Sequence, residues 1–451
     1  MKPVRSTRRS WAHLLLLAAM ATLAPLAIYA QIAANNTYVI DLPTVLRLAR
    51  ADNLDVKLAQ ERINEAKNNH SAAVAKFLPW VTAGVSFRSH EGRTQAVDGT
   101  MLDVDKQSTS VGPTITAQMD IGDALFTTLA ARQYIAAANA ALAAQEQDSA
   151  LSAASGYFNL LQAKAVLEAN REALATSVAY EQQLQGGVEA GVIFKGDLLR
   201  VQTQTQRYQA GIVQAQQQQR AASARLAELL HLDPVVVLIP QDNELLPIEL
   251  AGIGGVRNQA ATDLITQALN NRAELQQGQA QVQAAREAQK NARFGPFIPS
   301  VGAQAFLGAL SGGSDGDSGH FSGSRDYYIG LNWRFGPGGL FDFTRSRAAT
   351  SKLHTAELGL EKTTSSIQRQ VIEAQARVQS AAGQMTATRS ALGNATETLR
   401  LTRERKQLGV GIVLEDIQAQ QELVRTRTEY LSAITEYNKA QYELGKALGS
   451  L

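Results

Sequence analysis

Two proline-led strand starts lie about 220 positions apart in this 451-residue chain, and each precedes more than a hundred residues without proline. KFLPWVTAGVSF runs from Lys76 to Phe87 and RFGPFIPSVGAQAF from Arg293 to Phe306, with Pro79 and Pro299 marking the same junction. The polypeptide reads as a tandem duplication. The proline-free stretches, 114–233 and 338–451, cover about half the chain. Proline costs about 3 kcal/mol inside a helix, so this absence predicts very long helices.

Aromatic residues make up only 6% of the chain, while Ala and Gln crowd the proline-free stretches, a mix suited to slender helix pairs rather than one thick core. The formal charge is +2. Lys2, Arg5, Arg8 and Arg9 fall in the first thirty residues with no acid among them, so the remainder is close to neutral and gives no support for nucleic-acid binding.

Residues 1–30 read as a signal peptide, with basic residues before an apolar run from Leu14 to Leu26 and Ile28, Tyr29 and Ala30 before the cleavage point at Gln31. The alternative is a retained signal anchor. Beyond this segment no run approaches the length of a membrane-spanning helix, so a mature chain that crosses a bilayer must do so with strands. The chain has no cysteine, which excludes disulfides, thiolate metal sites and a Cys nucleophile. The six histidines lack the i, i+4 spacing of a helical metal site. No nucleophile and base pair or phosphate loop is present, and GPGG at Gly336 lacks the P-loop lysine. The expectation is a protein that is not an enzyme and takes no metal or cofactor.

Residues 108–121 alternate with a period of two, placing Val111, Ile115 and Met119 on one face. In the second copy Tyr327, Ile329, Leu331, Trp333 and Phe335 alternate with polar or small residues in the same way. Each copy offers one hairpin, 78–121 and 298–336, with long polar loops expected at 89–107 and 309–325. Asp315, Gly316 and Asp317 faintly resemble a calcium loop but lack the acid an EF-hand requires, so an exposed loop is expected. Four strands leave edges that lipid cannot satisfy, and the smallest membrane barrel has about eight strands, so several copies must share one.

Long helices are expected over 124–230 and 340–451. Leu198, Val201, Thr205, Tyr208, Ile212 and Ala215 step by threes and fours, as do Ile367, Val371, Ala374, Val378 and Ala381. On the last helix Leu423, Tyr430, Tyr437 and Leu444 form one seven-residue ladder and Ile417, Val424 and Leu431 a second beside it. Two adjacent seams imply two neighbours, hence a wall of helices rather than an isolated rod. Shorter helices at about 43–76 and 259–294 precede the strands, and 232–257 reads as a connector containing the strand-like VVVLIP. The repeats are bounded as 31–257 and 258–451.

The turns between long helices match without a gap when Gly191 is set on Gly409, which places Asp197 opposite Glu415. Glycine stops one helix, and the acid complements the start of the next. Two ordinary αα-hairpin turns explain the same residues.

Taken in order, the Pro-led strand starts, the GLFDFTRSR segment and the paired glycine turns resemble outer membrane efflux proteins of the TolC type. The resemblance implies a fold combining α-helices with transmembrane β-strands, in which four strands per chain make a trimeric twelve-stranded barrel continued by a coiled-coil helical barrel in the periplasm. It also implies passive export from an inner-membrane RND or ABC-type transporter through a periplasmic adaptor, for efflux or type I secretion. Val111, Ile115, Met119, Tyr327, Ile329, Leu331, Trp333 and Phe335 would face outer-membrane lipid. Gly187, Gly191, Val192, Leu408, Gly409, Val410 and Gly411 would form the periplasmic tip where the adaptor docks. Glu415 and Asp416 are candidates for an acid ring in the pore, about 100° apart on the helix, although an exposed N-terminal acid reads the same. Val410 and Gly411 stand where some relatives carry a basic residue, which leaves Arg403, Arg405 and Lys406 as candidates for holding the tip shut. A secreted coiled-coil scaffold or adhesin is the competing reading, and the strand faces discriminate, because a soluble hairpin would have to bury its aromatics.

Overall fold

A computed structural model describes residues 37–250, 259–314, 319–408 and 411–451; the signal-peptide segment lies outside them. In chain order the elements are β1 (Thr37–Ile40), α1 (Leu42–Ala51), α2 (Leu54–Ala75), β2 (Trp80–Gln95), β3 (Met101–Asp120), α3 (Ile121–Glu189), α4 (Lys195–Leu229), β4 (Val237–Pro240), α5 (Ala261–Asn271), α6 (Ala273–Phe294), β5 (Ser300–Ser314), β6 (Ser322–Asn332), α7 (Phe343–Gln407) and α8 (Val413–Ala447). The order helix, hairpin, long helix, return helix occurs twice. At 69 and 65 residues, α3 and α7 are each on the order of 100 Å long. Among the described residues no helix is long and apolar enough to cross a membrane.

The chain divides into two compact units. One comprises residues up to Lys57, Glu146–Asn271 and Arg369–Leu451. Its core gathers Ile40, Val45, Ala153, Tyr157, Leu160, Leu226, Leu230, Leu238 and Ile434. β1 and β4 pair in parallel there, so VVVLIP finds its partner in TYVI about 200 residues earlier, an element absent from the sequence expectation. The connector after β4 is pinned to α8 by two buried amides. Asn438 accepts from the Ile248 N–H and donates to the Leu246 carbonyl, and Gln441 does the same for Leu250 and Ile248. Tyr157 donates to Asp242 at 2.6 Å.

The helix expected over 43–76 is two helices, because Asn53 caps the second: its Oδ1 accepts from the Asp55 and Val56 N–H groups while its amide reaches the Leu229 carbonyl. The helix expected over 259–294 is likewise broken, at Arg272, whose extended backbone starts α6 and whose side chain pairs with Glu274 at 2.7 Å.

The second unit comprises Leu58–Gln145 and Arg272–Gln368. It holds an antiparallel sheet ordered β2-β3-β5-β6, so each repeat contributes one hairpin and the hairpins meet along β3 and β5. The register makes the faces explicit. Val81, Ile115, Ala305 and Tyr327 form one row, and Met119, Val301 and Leu331 another on the same side. Thr82, Thr114, Phe306 and Asp326 form a row on the other side, as do Ser86, Ser110, Leu310 and Ser322. One face is thus apolar and the other mostly polar. The β3–β5 ladder skips residues 112 and 113: Pro113 has no N–H to give, and Gly112 faces Gly308 so closely that a Cβ on Gly112 would lie 2.6 Å from the Gly308 Cα.

The strands are longer than the alternation suggested. Residues 89–107 are not a loop but the outer halves of β2 and β3, joined at Ala96–Thr100, where the Ala96 N–H donates to the Thr100 carbonyl and Asp98 accepts from Thr100. Backbone pairing extends this end although most of its side chains are polar. β5 and β6 similarly take up most of 309–325, and residues 315–318, with the Asp315–Asp317 stretch, lie outside the described residues. At the other end, Trp333 and Phe335 lie beyond β6. Gly336 and Gly338, at φ +94° and +76°, turn the chain back so that the Leu340 N–H donates to the Arg334 carbonyl.

The same turn starts α7. Phe341 adopts φ +69°, strained for an aromatic residue, with its ring stacked on Phe335 at 6.4 Å between centroids. Asp342 accepts from the Thr344 hydroxyl and from the Arg345 and Gly338 N–H groups, which hold its carboxyl at about 2 rather than 3.8. Nearby, Asp123 accepts from Asn291 and pairs with Lys76 and Arg345. Burial pushes the Asp123 carboxyl up, but these partners outweigh it and leave it lowered.

A carboxyl depressed by folding stabilises the protein above its unfolded value and loses that contribution as pH falls through its folded value. Asp342→Ala is therefore expected to lower the thermal midpoint at neutral pH, measured by circular dichroism. Its difference from the parent should shrink between pH 3.8 and about 2.

Candidate functional site

The two helix turns are built alike. In the first, Gly191 at φ +72° ends α3, and the Val192 and Ile193 N–H groups both donate to the Gly187 carbonyl. Gly187 has no room for a side chain, since a Cβ there would lie 2.7 Å from Ile193 Cγ1. In the second, the Gly411 N–H donates to the Arg405 carbonyl and the Leu408 N–H to Glu404; Gly409 and Val410 lie outside the described residues. The residues before α4 and α8 are Phe194 and Ile412, neither making a side-chain cap. Asp197 and Glu415 therefore complement the helix starts from the first turn rather than capping them. Val192 and Leu408 are each 79% exposed, and Phe194 and Ile412 are exposed beside them.

Sequence reasoning passed over Phe194 and Ile412, although both occupy corresponding positions where Ser, Thr, Asp or Asn would be favoured. An apolar residue at two equivalent cap positions was the available signal. Beneath the turns, Tyr180, Leu184, Leu198, Val201 and Ile417 pack into a small core.

The two candidate acids part company. Glu415 is partly exposed and pairs with Arg405 at 3.4 Å across the turn. Asp416 is 2% exposed. Its Oδ2 accepts from Gln420, and its Oδ1 lies 3.9 Å from Arg403 Nε. Lys406 Nζ sits 3.4 Å from the centroid of the Tyr180 ring, a cation over a π face. All three basic candidates thus engage groups around the turn. Arg403, Lys406, Asp416, Gln420 and Tyr180 line a cavity of about 450 Å³ together with Thr176, Gln183 and Gln407.

Electrostatics here are set by burial. It pulls the Lys406 ammonium below its ordinary value against the attraction of Asp416, with Arg403 adding to the depression. It pushes the Tyr180 hydroxyl up, as do Asp416 and Asp197. Tyr180 Oη is buried without a hydrogen-bond partner among the described residues, as is Asp416 Oδ1.

The other candidate surface is the sheet. Tyr327, Ile329, Leu331, Val111 and Ile115 are exposed on its apolar face, Ile329 at 82%, while Met119 is half-buried. Trp333 and Phe335 continue the line as exposed residues past the strand end, with the indole N–H donating to the Phe297 carbonyl.

Removing an unpaired buried hydroxyl is cheap, whereas removing a buried charge strands its partners. Tyr180→Phe is expected to leave stability unchanged or raise it by up to ~1 kcal/mol, and Asp416→Ala to cost ~1–3 kcal/mol. Hydrogen exchange across the α7–α8 turn checks this, and should be faster in Asp416→Ala alone.

A family model for outer membrane efflux proteins matches residues 45–230 and 264–450. No curated protein sequence matches the chain. Among solved structures, the chain resembles the CmeC outer membrane channel of Campylobacter jejuni with a TM-score of 0.75 at 16% identity, covering 91% of this chain and 85% of that one. The outer membrane protein VceC of Vibrio cholerae gives 0.72 at 19% identity, covering 90% and 96%. The open-state MtrE outer membrane channel of Neisseria gonorrhoeae gives 0.71 at 18%, covering 90% and 88%. The fold is theirs, and with both repeats matched by the family model the chain belongs to the outer membrane efflux protein family.

Proposed function

We propose that three copies of this chain close a twelve-stranded barrel in the outer membrane and act as the passive exit duct of a tripartite export system. Cargo would arrive from an inner-membrane RND or ABC-type transporter through a periplasmic adaptor, and the long helices would carry the passage into the periplasm. The observation that carries this reading is the register of the sheet, which sorts its side chains into one apolar and one mostly polar face while leaving β2 and β6 with open edges. Lipid would take the first face, water the second, and sister subunits the edges.

In this reading 31–257 and 258–451 are equivalent repeats that follow a signal peptide at 1–30. The turns at Gly187, Gly191 and Val192 and at Leu408–Gly411 form the periplasmic tip, where the exposed Val192, Phe194, Leu408 and Ile412 offer an apolar surface to the adaptor. Arg403 and Lys406, gathered around Asp416, hold α7 and α8 against α3 when the duct is shut. Glu415, nearer solvent than Asp416, is the better candidate for a negative ring in the pore.

The absence of cysteine makes a direct test clean. Cysteine pairs, one at Val81, Val85 or Phe87 and one at Tyr327, Ile329 or Leu331, should give a covalent trimer on non-reducing gels for at least one combination. Monomer from every pair overturns the shared barrel. At the tip, Glu415→Gln is expected to lower cation selectivity in planar bilayers more than Asp416→Asn; unchanged reversal potentials in both variants refute the acid ring.

A further inference from the structure

On the mostly polar face of the sheet, aromatic rings lie across glycines. A Cβ placed on Gly330 would come within 2.9 Å of Tyr328 Cζ and 3.4 Å of its Cε1, and one on Gly302 within 3.8 Å of the same Cε1. The Tyr328 ring therefore lies over two bare stretches of backbone. Phe306 does the same over Gly308, where a Cβ would lie 2.5 Å from its Cζ. Tyr328 nevertheless remains 55% exposed, so it covers the wall with one side of its ring and presents the other outward. Trp80, 47% exposed, shares its row, which reads Trp80, Thr116, Gln304, Tyr328. Phe306 belongs to the next row, ~7 Å along the strand.

The neighbours of these rings are hydrogen-bonding but largely uncharged. Thr82, Thr114, Thr116, Gln118 and Gln304 point to the same face, and Asp326 is the acid of the Phe306 row. A surface that alternates ring faces with hydroxyl and amide groups matches a ligand whose flat sides are C–H and whose edges carry hydroxyls. A charged cargo would call instead for a wall of fixed charges.

We infer that Trp80, Phe306 and Tyr328 form a stacking track inside the barrel for saccharide-bearing cargo, with Thr116, Gln304 and Gln118 receiving its hydroxyl groups. The inference rests on the proposed barrel, which makes this face the lumen. With three subunits the track repeats around the passage, so a chain of sugar rings can pass from one platform to the next without a single tight site. Each contact is weak enough to release, as conduction requires.

The test is current blockade of the purified trimer in planar bilayers by maltohexaose added on the barrel side. Tyr328→Ala and Phe306→Ala should each weaken the blockade about tenfold, the loss of one stacking contact, and Tyr328→Phe should keep it. Gln304→Leu, which leaves every ring over its glycine, should weaken it as well and serves where the alanine variants fail to assemble. Blockade equal in the parent and all variants overturns the track, as does blockade by ethidium, a planar aromatic cation, without blockade by maltohexaose. A Tyr328→Ala trimer that is less heat-resistant but equally blocked assigns the ring to wall packing and also overturns it. Conductance of the untreated pore reports on the duct separately, so a parent that conducts but is not blocked sinks this inference alone.

Discussion

An unpaired peptide group is tolerable in water and costly in hydrocarbon, and this molecule leaves two rows of them open along β2 and β6. A two-sided sheet with an apolar face belongs in lipid, yet four strands cannot curl far enough to meet. Self-association is thus demanded by the backbone before any side chain at the subunit boundary is considered. The side chains then decide which face turns outward, and the register leaves little choice, because a slip of one residue would exchange the two faces completely.

The helices solve a different problem. Their shielded seams are built from single apolar residues alternating with Ala and Thr, so packing is thin and extended, with local cores such as those around Tyr157 and around Tyr180. Stability over such lengths depends on fastenings at particular points. The Asp123 cluster joins Lys76, just past α2, to residues of α3, α6 and α7, Asn438 and Gln441 strap the connector to α8, and the charged groups beside Asp416 gather at the helix turn. In the last of these, burial and Arg403 pull the Lys406 ammonium below its ordinary value while the attraction of Asp416 opposes them.

Much of this was legible in the residues, and the failures have physical causes. Missing prolines and seven-residue ladders announced α3, α4, α7 and α8, since long helices repeat one local rule. The faces of the strands were legible but their lengths were not, because beyond Phe87 and Leu310 the ladder continues on backbone pairing while most side chains turn polar and the apolar alternation is lost. Alternation also ran on through Trp333 and Phe335, past the end of β6, because the turn that leads into α7 comes only at Gly336 and Gly338. The breaks at Asn53 and Arg272 depend on single side chains inside an otherwise helical pattern. β1 could not be read as a strand without β4, which lies two hundred residues away. At the tip, the glycines were readable as helix stops, but whether Glu415 or Asp416 is buried depends on a rotation that no spacing rule fixes. Gly409 and Val410 lie outside the described residues.

The skipped rungs at Gly112 and Pro113 mark the boundary where the first repeat's hairpin meets the second's. Each hairpin is zipped continuously within itself, while the union between hairpins carries a gap. A ring made from three such chains consists of six equivalent ribbons, of which only alternate neighbours share a covalent chain. Six half-length polypeptides could occupy the same ring, so joining two of them in one gene changes how many molecules must meet, from six to three, and leaves the architecture of the wall untouched.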